Sequence, residues 1–554
     1  MSIPASSTAE LESVGSPEMR RIIFASSLGT VFEWYDFFLY GALASIIAKR
    51  FFSGVNETSA YIFALLAFAA GFAIRPLGAM VFGHLGDLIG RKYTFLATIL
   101  IMGLSTFLVG ILPSYETIGV SAPILLISLR LLQGLALGGE YGGAATYVAE
   151  HAPADRRGYS TGFIQVTASV GLLLSLVVIL ACRYGTGANF DAWGWRIPFL
   201  FSAVLLGVSV YIRLQLNESP LFKRMKSEGK LSKTPLTEAL GNWGNLKIML
   251  ASLFGLTAPE AVVWYTCQFY ALFFLTTALK IEAITANLLM VIALVSTAPL
   301  YVVFGWVSDR IGRKTITMIG FLLAALTILP IFKGLTHYGN PALETAAATH
   351  PVTVIADPAQ CSFQFDPIGK KVFRSSCDIV KSALAKSAVP YSNTVASRGS
   401  SAVVRIGTVE ITAFDGRLLD AATFKAEQAK FNEQLGKALS DAGYPAKADP
   451  QAINFPMLLL LLALLGVFST MVYASMAAWL VELFPTRIRY SSMSLPYHVG
   501  NGWFGGFVPS IAFALVSATG DVYRGLWYPI AIAVLGLIVG TLWLRNTKGG
   551  ALPM

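Results

Sequence analysis

The chain has 554 residues, of which 55% are hydrophobic and 13% are charged, and its mean hydropathy is +0.63. A water-soluble globular chain of this length does not have this composition, so the sequence belongs in a bilayer. The net charge of +10 comes mainly from lysine and arginine clusters between apolar segments, which leaves little support for nucleic-acid binding.

Apolar runs of about 20 residues are long enough to cross the roughly 30 Å hydrocarbon core of a membrane. The sequence predicts twelve such runs in two sets of six, separated by a polar, lysine-rich segment. The first set lies at 22–46, 61–83, 93–112, 122–148, 160–182 and 196–216, and the second at 247–278, 284–307, 315–335, 453–481, 490–517 and 524–544. An even number of spans places both termini on one side.

Lysine and arginine clusters recur at every second boundary between predicted spans. They are Arg20 and Arg21, Arg91 and Lys92, Arg156 and Arg157, five cations between 223 and 233, then Arg310, Arg313 and Lys314, Arg487 and Arg489, and Arg545 and Lys548. Cytoplasmic loops carry an excess of these residues. We therefore expect a multi-pass protein of the cell inner (plasma) membrane with both termini in the cytoplasm.

Two loop phrases occur twice. GHLGDLIGRK at 83–92 and GWVSDRIGRK at 305–314 share Gly-x-x-x-Asp-x-x-Gly-Arg-Lys at an offset of 222 residues. EHAPADRR from Glu150 and ELFPTRIR from Glu482 share Glu-x-x-Pro-x-x-x-Arg at an offset of 332 residues. The excess of 110 residues measures an insertion, which the hydropathy pattern places between spans 9 and 10.

These boundaries divide the chain into seven predicted parts. They are an N-terminal cytoplasmic tail (1–19), a first six-helix half (20–216), a cytoplasmic central loop (217–246), helices 7–9 of the second half (247–339), the insertion (340–451), helices 10–12 (452–546) and a C-terminal cytoplasmic tail (547–554).

Two sets of six spans, each with the charged loop phrase after its second span, resemble the major facilitator superfamily, whose halves are related by an axis along the membrane normal. Four further stretches resemble its metabolite:proton symporter family: FEWYDFFLYG at 32–41, RPLGAMVFGHLGD at 75–87, RLLQGLALGGEYGGA at 130–144 and WGWRIPF at 193–199. The resemblance covers about 440 residues, everything outside the N-terminal tail and the insertion. It implies a secondary active transporter, since members of that family carry proline and betaine, 2-oxoglutarate, citrate or shikimate.

The repeated loop phrase is interpreted as a cytoplasmic gate. An aspartate near a helix end and two cations can bind a neighbouring helix terminus and a carboxylate while the inner face is closed, and release them when it opens. Glu150 and Glu482 are the expected partners of Arg91 and Arg313. The gate residues are Gly83, Asp87, Gly90, Arg91, Lys92, Glu150, Asp309, Gly312, Arg313, Lys314 and Glu482. The alternative, that the cations only orient the protein, leaves the aspartates and glycines unexplained.

Five charged side chains lie inside predicted spans of the first half and away from the span ends: Glu33, Asp36, Arg75, Arg130 and Glu140. Such a side chain is costly at membrane depth unless it is paired or faces water, so each marks a candidate functional position. Counting about 1.5 Å of rise per residue puts Arg75 and Glu140 at one depth and leaves Asp36 within reach of Arg130. We expect one ion pair between Arg75 and Glu140 and another between Arg130 and Asp36, with Glu33 beside it.

Asp36, Glu33 and Arg130 are predicted to couple protons to the substrate. An aspartate near a cation stays ionised, whereas one that loses this partner in a low-dielectric cavity takes up a proton. An organic anion that competes for Arg130 therefore favours protonation of Asp36, and both load together. The alternative is a static ion pair that only fixes two helices.

Substrate contacts are expected on spans 1, 4, 5, 7 and 11. The candidates are Tyr35, Arg130, Gln133, Gln165, Trp264, Tyr265, Gln268, Tyr497, His498 and Asn501, and span 7 also offers Glu260. Each residue type has another common use, because aromatic rings pack or face lipid, amides bond between helices, and a lone buried histidine is more often a core residue than a titrating one.

The insertion is expected on the periplasmic or extracellular side, opposite the lysine-rich loops. Predicted strands lie at 352–356 and 408–414 and predicted helices around 378–388 and 420–442, enough for a small α/β domain. Cys361 and Cys377 both lie in it, and an oxidising compartment favours their disulfide. A disordered tether is the alternative, and a binding partner for the insertion stays an open hypothesis.

The predicted fold is therefore an all-α membrane protein of twelve transmembrane helices in two six-helix halves, with a small extracytoplasmic α/β insertion between helices 9 and 10. The sequence contains no phosphate-binding loop, metal-ligand cluster or nucleophile elbow, so we expect no enzyme activity, cofactor or metal. The predicted function is proton-coupled uptake of a small organic acid or zwitterion, with the solute, protons and the lipid bilayer as partners. The alternatives are proton-driven export of drugs or metabolites and a transporter-like sensor that uses the insertion.

Overall fold

The structure is a computed structural model that describes residues 16–53, 71–215, 217–364, 372–387, 389–550 and 552–553. Within these ranges, eleven helical segments are long and apolar enough to cross a membrane. The predicted second span, 61–83, begins outside the described residues, and its described end belongs to a helix that starts at Arg75. Each of the other predicted spans overlaps one of the eleven segments.

The first half packs its helices around glycine-rich contacts. Its main helices are α1 (Ser16–Ala42), α2 (Ala44–Phe51), α3 (Arg75–Ile89), α4 (Arg91–Ile111), α5 (Ser121–His151), α6 (Arg157–Thr186) and α7 (Arg196–Leu214). Helix α1 packs on α6, and α5 packs on α3 and α4. A Cβ on Gly138 of α5 would come within 2.6 Å of the Ala79 backbone of α3, so glycine allows this close crossing.

The central segment and the start of the second half are also helical. They form α8 (Pro220–Ser227), α9 (Pro235–Gly241), α10 (Trp243–Ala278), α11 (Ala283–Ile311) and α12 (Arg313–Gly339). Gly90 lies between α3 and α4, and Gly312 between α11 and α12, with φ of 121° and 101°. Both tight turns need a backbone conformation that a residue with a Cβ rarely adopts, which explains the glycine of the repeated loop phrase.

The segment after α12 folds as a small α/β unit with its own buried core. Its elements are α13 (Pro341–Thr349), β1 (Val352–Ala356), α14 (Ser376–Lys386), β2 (Tyr391–Val395), β3 (Val403–Ile406), β4 (Val409–Thr412) and α15 (Ala421–Asp441). The sheet order is β2-β1-β3-β4, with β1 parallel to β2 and the other pairs antiparallel. These elements overlap the strands and helices expected from the sequence, and a disulfide joins Cys361 to Cys377.

The bundle is completed by α16 (Phe455–Leu483), α17 (Thr486–Thr519) and α18 (Arg524–Trp543). Helix α10 contains π-helical turns at Leu253–Thr257, Thr266–Tyr270 and Phe274–Ala278, and α17 contains one at Gly500–Gly505. Such turns are rare and are frequently found at functional sites. They identify α10 and α17 as the irregular helices of the second half.

The insertion lies against the C-terminal end of α17. Lys381 Nζ donates to the carbonyl of Ala518 (3.2 Å), and the Tyr391 N–H donates to that of Gly520 (3.0 Å). In the described part of the chain, its hydrogen bonds with the bundle all go to second-half residues. We call this end of the bundle the insertion face, and the opposite end, where α17 begins and where the α3–α4 and α11–α12 turns lie, the basic face.

Candidate functional site

A buried polar network links α1, α4 and α5 inside the first half. Arg130 donates from Nη1 to Oε1 of Gln133 (2.5 Å), and Gln133 Nε2 donates to the Thr106 hydroxyl (2.8 Å). The Thr106 side chain in turn lies next to the Asp36 carboxyl. The expected ion pair of Asp36 and Arg130 is not found among the described residues. The two groups are within electrostatic range of each other, and Gln133, less than one turn after Arg130 on α5, bonds Arg130 to Thr106.

Thr106 can serve either protonation state of Asp36. Its hydroxyl donates to the carbonyl of Met102 (3.0 Å), which leaves its oxygen able to accept a hydrogen bond from a protonated carboxyl. Rotation of the same hydroxyl would let it donate to an ionised carboxylate. Asp36 can therefore gain or lose a proton with only a rotation of the Thr106 hydroxyl and no movement of a helix.

The expected pair between Arg75 and Glu140 is wrong. Glu140 is bound by Arg213 of α7, whose Nη2 lies 2.8 Å from Oε1, and both side chains are buried. Arg213 also lies 3.3 Å from the centre of the Phe95 ring and donates to the Phe95 carbonyl. Equal depth does not place two side chains on facing sides of their helices, and Arg213 reaches inward from the last turn of α7 along its long aliphatic stem.

Arg75 lies where the two halves meet. Its guanidinium carbon is 4.9 Å from the centre of the Phe37 ring and 4.2 Å from that of Phe72, and Tyr265 of α10 lies close to it. The side chain is 2% exposed, and its Nε and Nη2 have no hydrogen-bond partner among the described residues. A buried guanidinium with open donors is suited to hold an anion.

Glu33 lies one turn before Asp36 on the same face of α1. It is buried, it is within electrostatic range of Arg75, Arg213 and Glu140, and its Oε2 has no hydrogen-bond partner in the described part of the chain. The first half therefore concentrates three carboxyl groups and three guanidinium groups inside the bundle.

Tyr35 lies outside this site, contrary to the expectation that it contacts substrate. Its hydroxyl donates to the Pro198 carbonyl (2.8 Å), and its ring packs edge-on against Phe201. Successive side chains on a helix point about 100° apart, so the residue just before Asp36 faces α7 instead of the bundle centre.

Tyrosine rings from both halves meet at the centre of the bundle. Tyr497 of α17 stacks on Tyr141 of α5 with 3.6 Å between ring centres, and its hydroxyl lies 2.8 Å from that of Tyr473 on α16. Other predicted contact residues bond to side chains around this cluster: Gln165 Nε2 to Tyr141 OH (2.9 Å), Trp264 Nε1 to Tyr301 OH (2.9 Å) and Gln268 Nε2 to Ser469 Oγ (3.3 Å).

Glu260 and His498 add two buried titratable groups from the second half, each 1% exposed. Asn501 donates to the Tyr497 carbonyl (3.2 Å) and lies next to the Glu260 carboxyl. Glu260 Oε2 and both ring nitrogens of His498 have no partner among the described residues. Buried polar atoms are normally satisfied, so this cluster indicates a place for a bound solute or water.

Asp87 joins the first half to the second at the basic face. Its carboxylate accepts hydrogen bonds from the backbone N–H groups of Tyr490 (3.2 Å) and Ser491 (2.9 Å) at the start of α17, and it pairs with Arg91 (3.1 Å). A Cβ on Gly83 would lie 2.9 Å from the Ser491 Cα. The glycine lets the helices touch, and the aspartate binds the positive end of the facing helix dipole.

Asp309 repeats this arrangement in the opposite direction. It accepts hydrogen bonds from the N–H groups of Gly158 and Tyr159 (both 2.8 Å) at the start of α6 and pairs with Arg313 (2.5 Å). Gly305 packs against the Gly158 backbone. Each loop aspartate therefore binds a helix of the other half.

The glutamates of the second repeated phrase also pair across the halves. Arg489 Nη1 lies 2.8 Å from Glu150 Oε1, and Arg157 Nη1 lies 2.9 Å from Glu482 Oε1. Arg157 and Arg489 are missing from the gate residues predicted from the sequence, although the two copies of the second phrase, EHAPADRR and ELFPTRIR, end on these arginines. That shared arginine was the signal that could have identified them.

The loop arginines lie farther from these glutamates. Arg91 Nη2 is 3.8 Å from Glu150, and Arg313 Nη2 is 3.2 Å from Glu482. Arg91 instead donates a shorter bond to the Thr486 carbonyl (2.7 Å) of the other half. The basic face is therefore closed by ion pairs and helix caps between the halves.

The lysines of the loop phrase act within their own halves. Lys92 Nζ donates to the Leu214 carbonyl (3.0 Å) at the end of α7, and Lys314 Nζ donates to the Leu544 carbonyl (2.9 Å) just after α18. They satisfy helix C-termini, so they differ from the aspartates, which connect the halves.

Comparisons with known proteins agree with this architecture. Residues 22–250 match the family model "Sugar (and other) transporter". The chain is 38% identical to the shikimate transporter of Escherichia coli K12 over 323 residues, which is 57% of this chain and 72% of that protein. It is 34% identical to the proline/betaine transporter of the same organism over 328 residues, 57% of this chain and 64% of that protein.

A similar fold has been solved. The structure of the major facilitator superfamily proton:xylose symporter XylE, bound to 6-bromo-6-deoxy-D-glucose, aligns with a TM-score of 0.58 and 16% identity over 97% of this chain and 98% of that chain. With the helical bundle, the duplicated loop phrases and the relatives together, the chain belongs to the major facilitator superfamily and, within it, to the metabolite:proton symporter family.

Proposed function

We propose that this protein takes up a small organic acid or zwitterion together with protons across the cell inner membrane by alternating access. The observation that carries the proposal is Asp36, a carboxyl group buried in the bundle within electrostatic range of Arg130 and next to Thr106, which is bonded to Arg130 through Gln133. The kinds of solute named for the relatives, shikimate and proline or betaine, support the substrate class.

The coupling follows from the competition between a substrate anion and Asp36 for positive charge. Arg130 and Arg75 are within electrostatic range of each other, and Arg130 is within range of Asp36. An anion that enters beside these guanidinium groups weakens the field that keeps Asp36 ionised, so proton uptake becomes favourable. Substrate and proton then enter together, and the loaded site carries less net charge through the conformational change.

The gate contacts support a transporter that cycles. Asp87 and Asp309 each bind a helix of the other half, and both ion pairs across the halves are formed. On the proposed orientation the basic face and both termini are cytoplasmic, the insertion is extracytoplasmic, and this closed state excludes the cytoplasm. An intact, duplicated gate favours transport over a sensor that no longer cycles.

The test is solute accumulation by purified protein in liposomes with an imposed pH gradient. Labelled betaine, proline, shikimate and 2-oxoglutarate are supplied outside, first with the outside acidic and then with the gradient reversed or collapsed. We expect at least one solute to accumulate above its external concentration only when the gradient would drive protons inward. Accumulation driven by the opposite gradient would support export, and gradient-independent equilibration would contradict proton coupling.

A further inference from the structure

We propose that Arg75 and Glu260 bind the two poles of a zwitterionic substrate, with the carboxylate on Arg75 and an ammonium group on Glu260. This inference rests on the proposed function and narrows its substrate class from organic acids in general to zwitterions.

Arg75 supplies the anion-binding pole from the first half. The aromatic rings of Phe37 and Phe72 lie beside its guanidinium group, and its Nε and Nη2 are open. Glu140, the carboxylate expected to pair with it because both lie at the same membrane depth, is bound by Arg213 instead. Glu33 is within electrostatic range of Arg75, but no carboxylate of the described residues forms an ion pair with it, so a ligand carboxylate can contact the guanidinium group directly.

Glu260 supplies the cation-binding pole from the second half. Asn501 lies next to its carboxyl, Oε2 is open, and the described residues place no lysine or arginine within ion-pair distance of it. Five tyrosines lie within electrostatic range of it: Tyr141, Tyr265, Tyr301, Tyr473 and Tyr497. A carboxylate among aromatic faces is the combination that binds alkylammonium groups.

The two poles belong to one site. Tyr265 and Tyr497 each lie within electrostatic range of both Arg75 and Glu260. His498 follows Tyr497 on α17, is within range of Arg75, and has two open ring nitrogens for a further hydrogen bond. The opposite charges thus flank the tyrosine cluster, one from each half.

Charge balance selects among the solutes. A zwitterion neutralises both poles at once, whereas a dicarboxylate would repel Glu260 and an uncharged sugar would leave both charges without partners in a low-dielectric site. A zwitterion held this way also connects the first half to the second, which favours closure around the substrate. Its carboxylate would act on Arg130 through Arg75 and so remain coupled to Asp36.

The experiment compares two solutes of the same shape. Glycine betaine and 3,3-dimethylbutanoate share the carboxylate and differ in that a quaternary nitrogen replaces a quaternary carbon. Binding to purified wild-type protein is measured by calorimetry and by thermal stabilisation. We expect betaine to bind at least about 30-fold more tightly than its neutral isostere, since one desolvated charge pair separates them.

Variants assign the poles. Glu260→Gln should remove the preference for betaine over the isostere, and Glu260→Asp should keep it. Arg75→Gln should weaken both solutes, because each has the carboxylate. Glu344→Gln and Arg405→Gln, two exposed positions of the insertion, serve as the matched carboxylate and arginine controls and should leave both affinities unchanged.

Several results would overturn the inference. These are wild-type protein that binds the isostere, shikimate or 2-oxoglutarate as tightly as betaine, wild-type protein that binds no zwitterion, and a Glu260→Gln variant that keeps the full preference. If Glu260→Gln does not fold, the wild-type comparison of the two isosteres decides alone. Proton-driven accumulation of shikimate without betaine binding would refute the inference and leave the proposed function standing, whereas betaine binding without gradient-driven transport would do the reverse.

Discussion

The basic face and the centre of the bundle differ in symmetry. At the basic face the halves carry the same groups in equivalent places, so that Asp87 caps α17 as Asp309 caps α6. At the centre the first half holds three carboxyl and three guanidinium groups, whereas the second half contributes Glu260, His498 and tyrosines. The gate contacts are therefore present in both halves, whereas the buried charges at the centre lie mainly in the first half.

This difference separates two tasks. The contacts of both loop aspartates must break before the basic face can open, so each copy of the loop phrase is needed in the gate. Proton binding needs one titratable site in one electrostatic environment, and a second copy would only add buried charge at a cost in stability. We therefore expect substitutions at the centre to have effects peculiar to one half, and substitutions at the gate to have matching effects in both.

The largest effect is expected for Asp36→Asn. Asparagine resembles a protonated aspartic acid in size but cannot release a proton, so gradient-driven accumulation should fall to the level of empty liposomes. Substrate binding and counterflow should persist, because neither requires net proton movement. The measurement is uptake with and without a pH gradient, beside counterflow in the same vesicles.

Asp155→Asn, at an aspartate that is 79% exposed at the basic face, is the matched control and should transport normally. If Asp36→Asn still concentrates solute with unchanged pH dependence, Asp36 is not the coupling group. Glu33 or Glu140 would then be the better candidate, and the concentration of coupling in the first half could still hold.

The next effect concerns the ion pair of Arg213 and Glu140, which has no counterpart among the described residues of the second half. Arg213→Gln leaves Glu140 buried without its cation and should destabilise the protein by about 3–5 kcal/mol. Glu140→Gln combined with Arg213→Gln should recover much of this loss, because no buried charge is then unbalanced. Thermal unfolding of the detergent-purified protein measures both. Equal losses in the single and double variants would show that packing of Arg213 on Phe95 matters more than the charge.

The gate offers a test of symmetry. Glu150→Gln removes the partner of Arg489, and Glu482→Gln removes that of Arg157. Each should shift the equilibrium towards an open basic face by about 2–5 kcal/mol, and by similar amounts. Reaction of a cysteine at Ser494, fully buried near the gate in this closed state, with a thiol reagent applied from the basic face reports the opening.

Lys92→Gln and Lys314→Gln are the controls for this experiment, since both lysines bind helix ends of their own half. They should leave the Ser494→Cys reaction rate nearly unchanged. A large effect of one glutamate and none of the other would break the symmetry and assign closure to one half of the gate.

Much of this arrangement could be predicted from the sequence. The repeated loop phrases indicated the gate residues of both halves. The difference between the two repeat offsets indicated the insertion, and neither step needs three-dimensional information. The partner of Glu140 could not be found this way: helical rise gives depth, but the direction of each side chain around its helix axis depends on how helices pack. Arg213 was also overlooked because it lies in the last turn of its span, where arginine is usually attributed to the positive-inside pattern.

The proposed role of Glu260 was not predicted for a related reason. The sequence offers Glu260 among several polar residues of α10, and only its nearness to Tyr141, Tyr473 and Tyr497, which come from other helices, distinguishes it from its neighbours. When the role of a residue depends on contacts with the other half of the molecule, the sequence around that residue gives little indication of it.

The smallest effect on transport is expected from the insertion, which has no counterpart in the first half. Cys361 and Cys377 close a loop with a sequence separation of 16, and replacing both by serine should destabilise the insertion by about 3 kcal/mol in the chain-entropy model. Protease cleavage within 340–451 should become faster, while proton-driven uptake should change little, because the hydrogen bonds between the described insertion and the bundle go to second-half residues and include none to the gate residues. Cys182→Ser with Cys267→Ser is the control, since neither thiol is in a disulfide. Free thiols at 361 and 377 in non-reduced protein from membranes would contradict the disulfide, and loss of transport in the double serine variant would make the insertion part of the transport cycle.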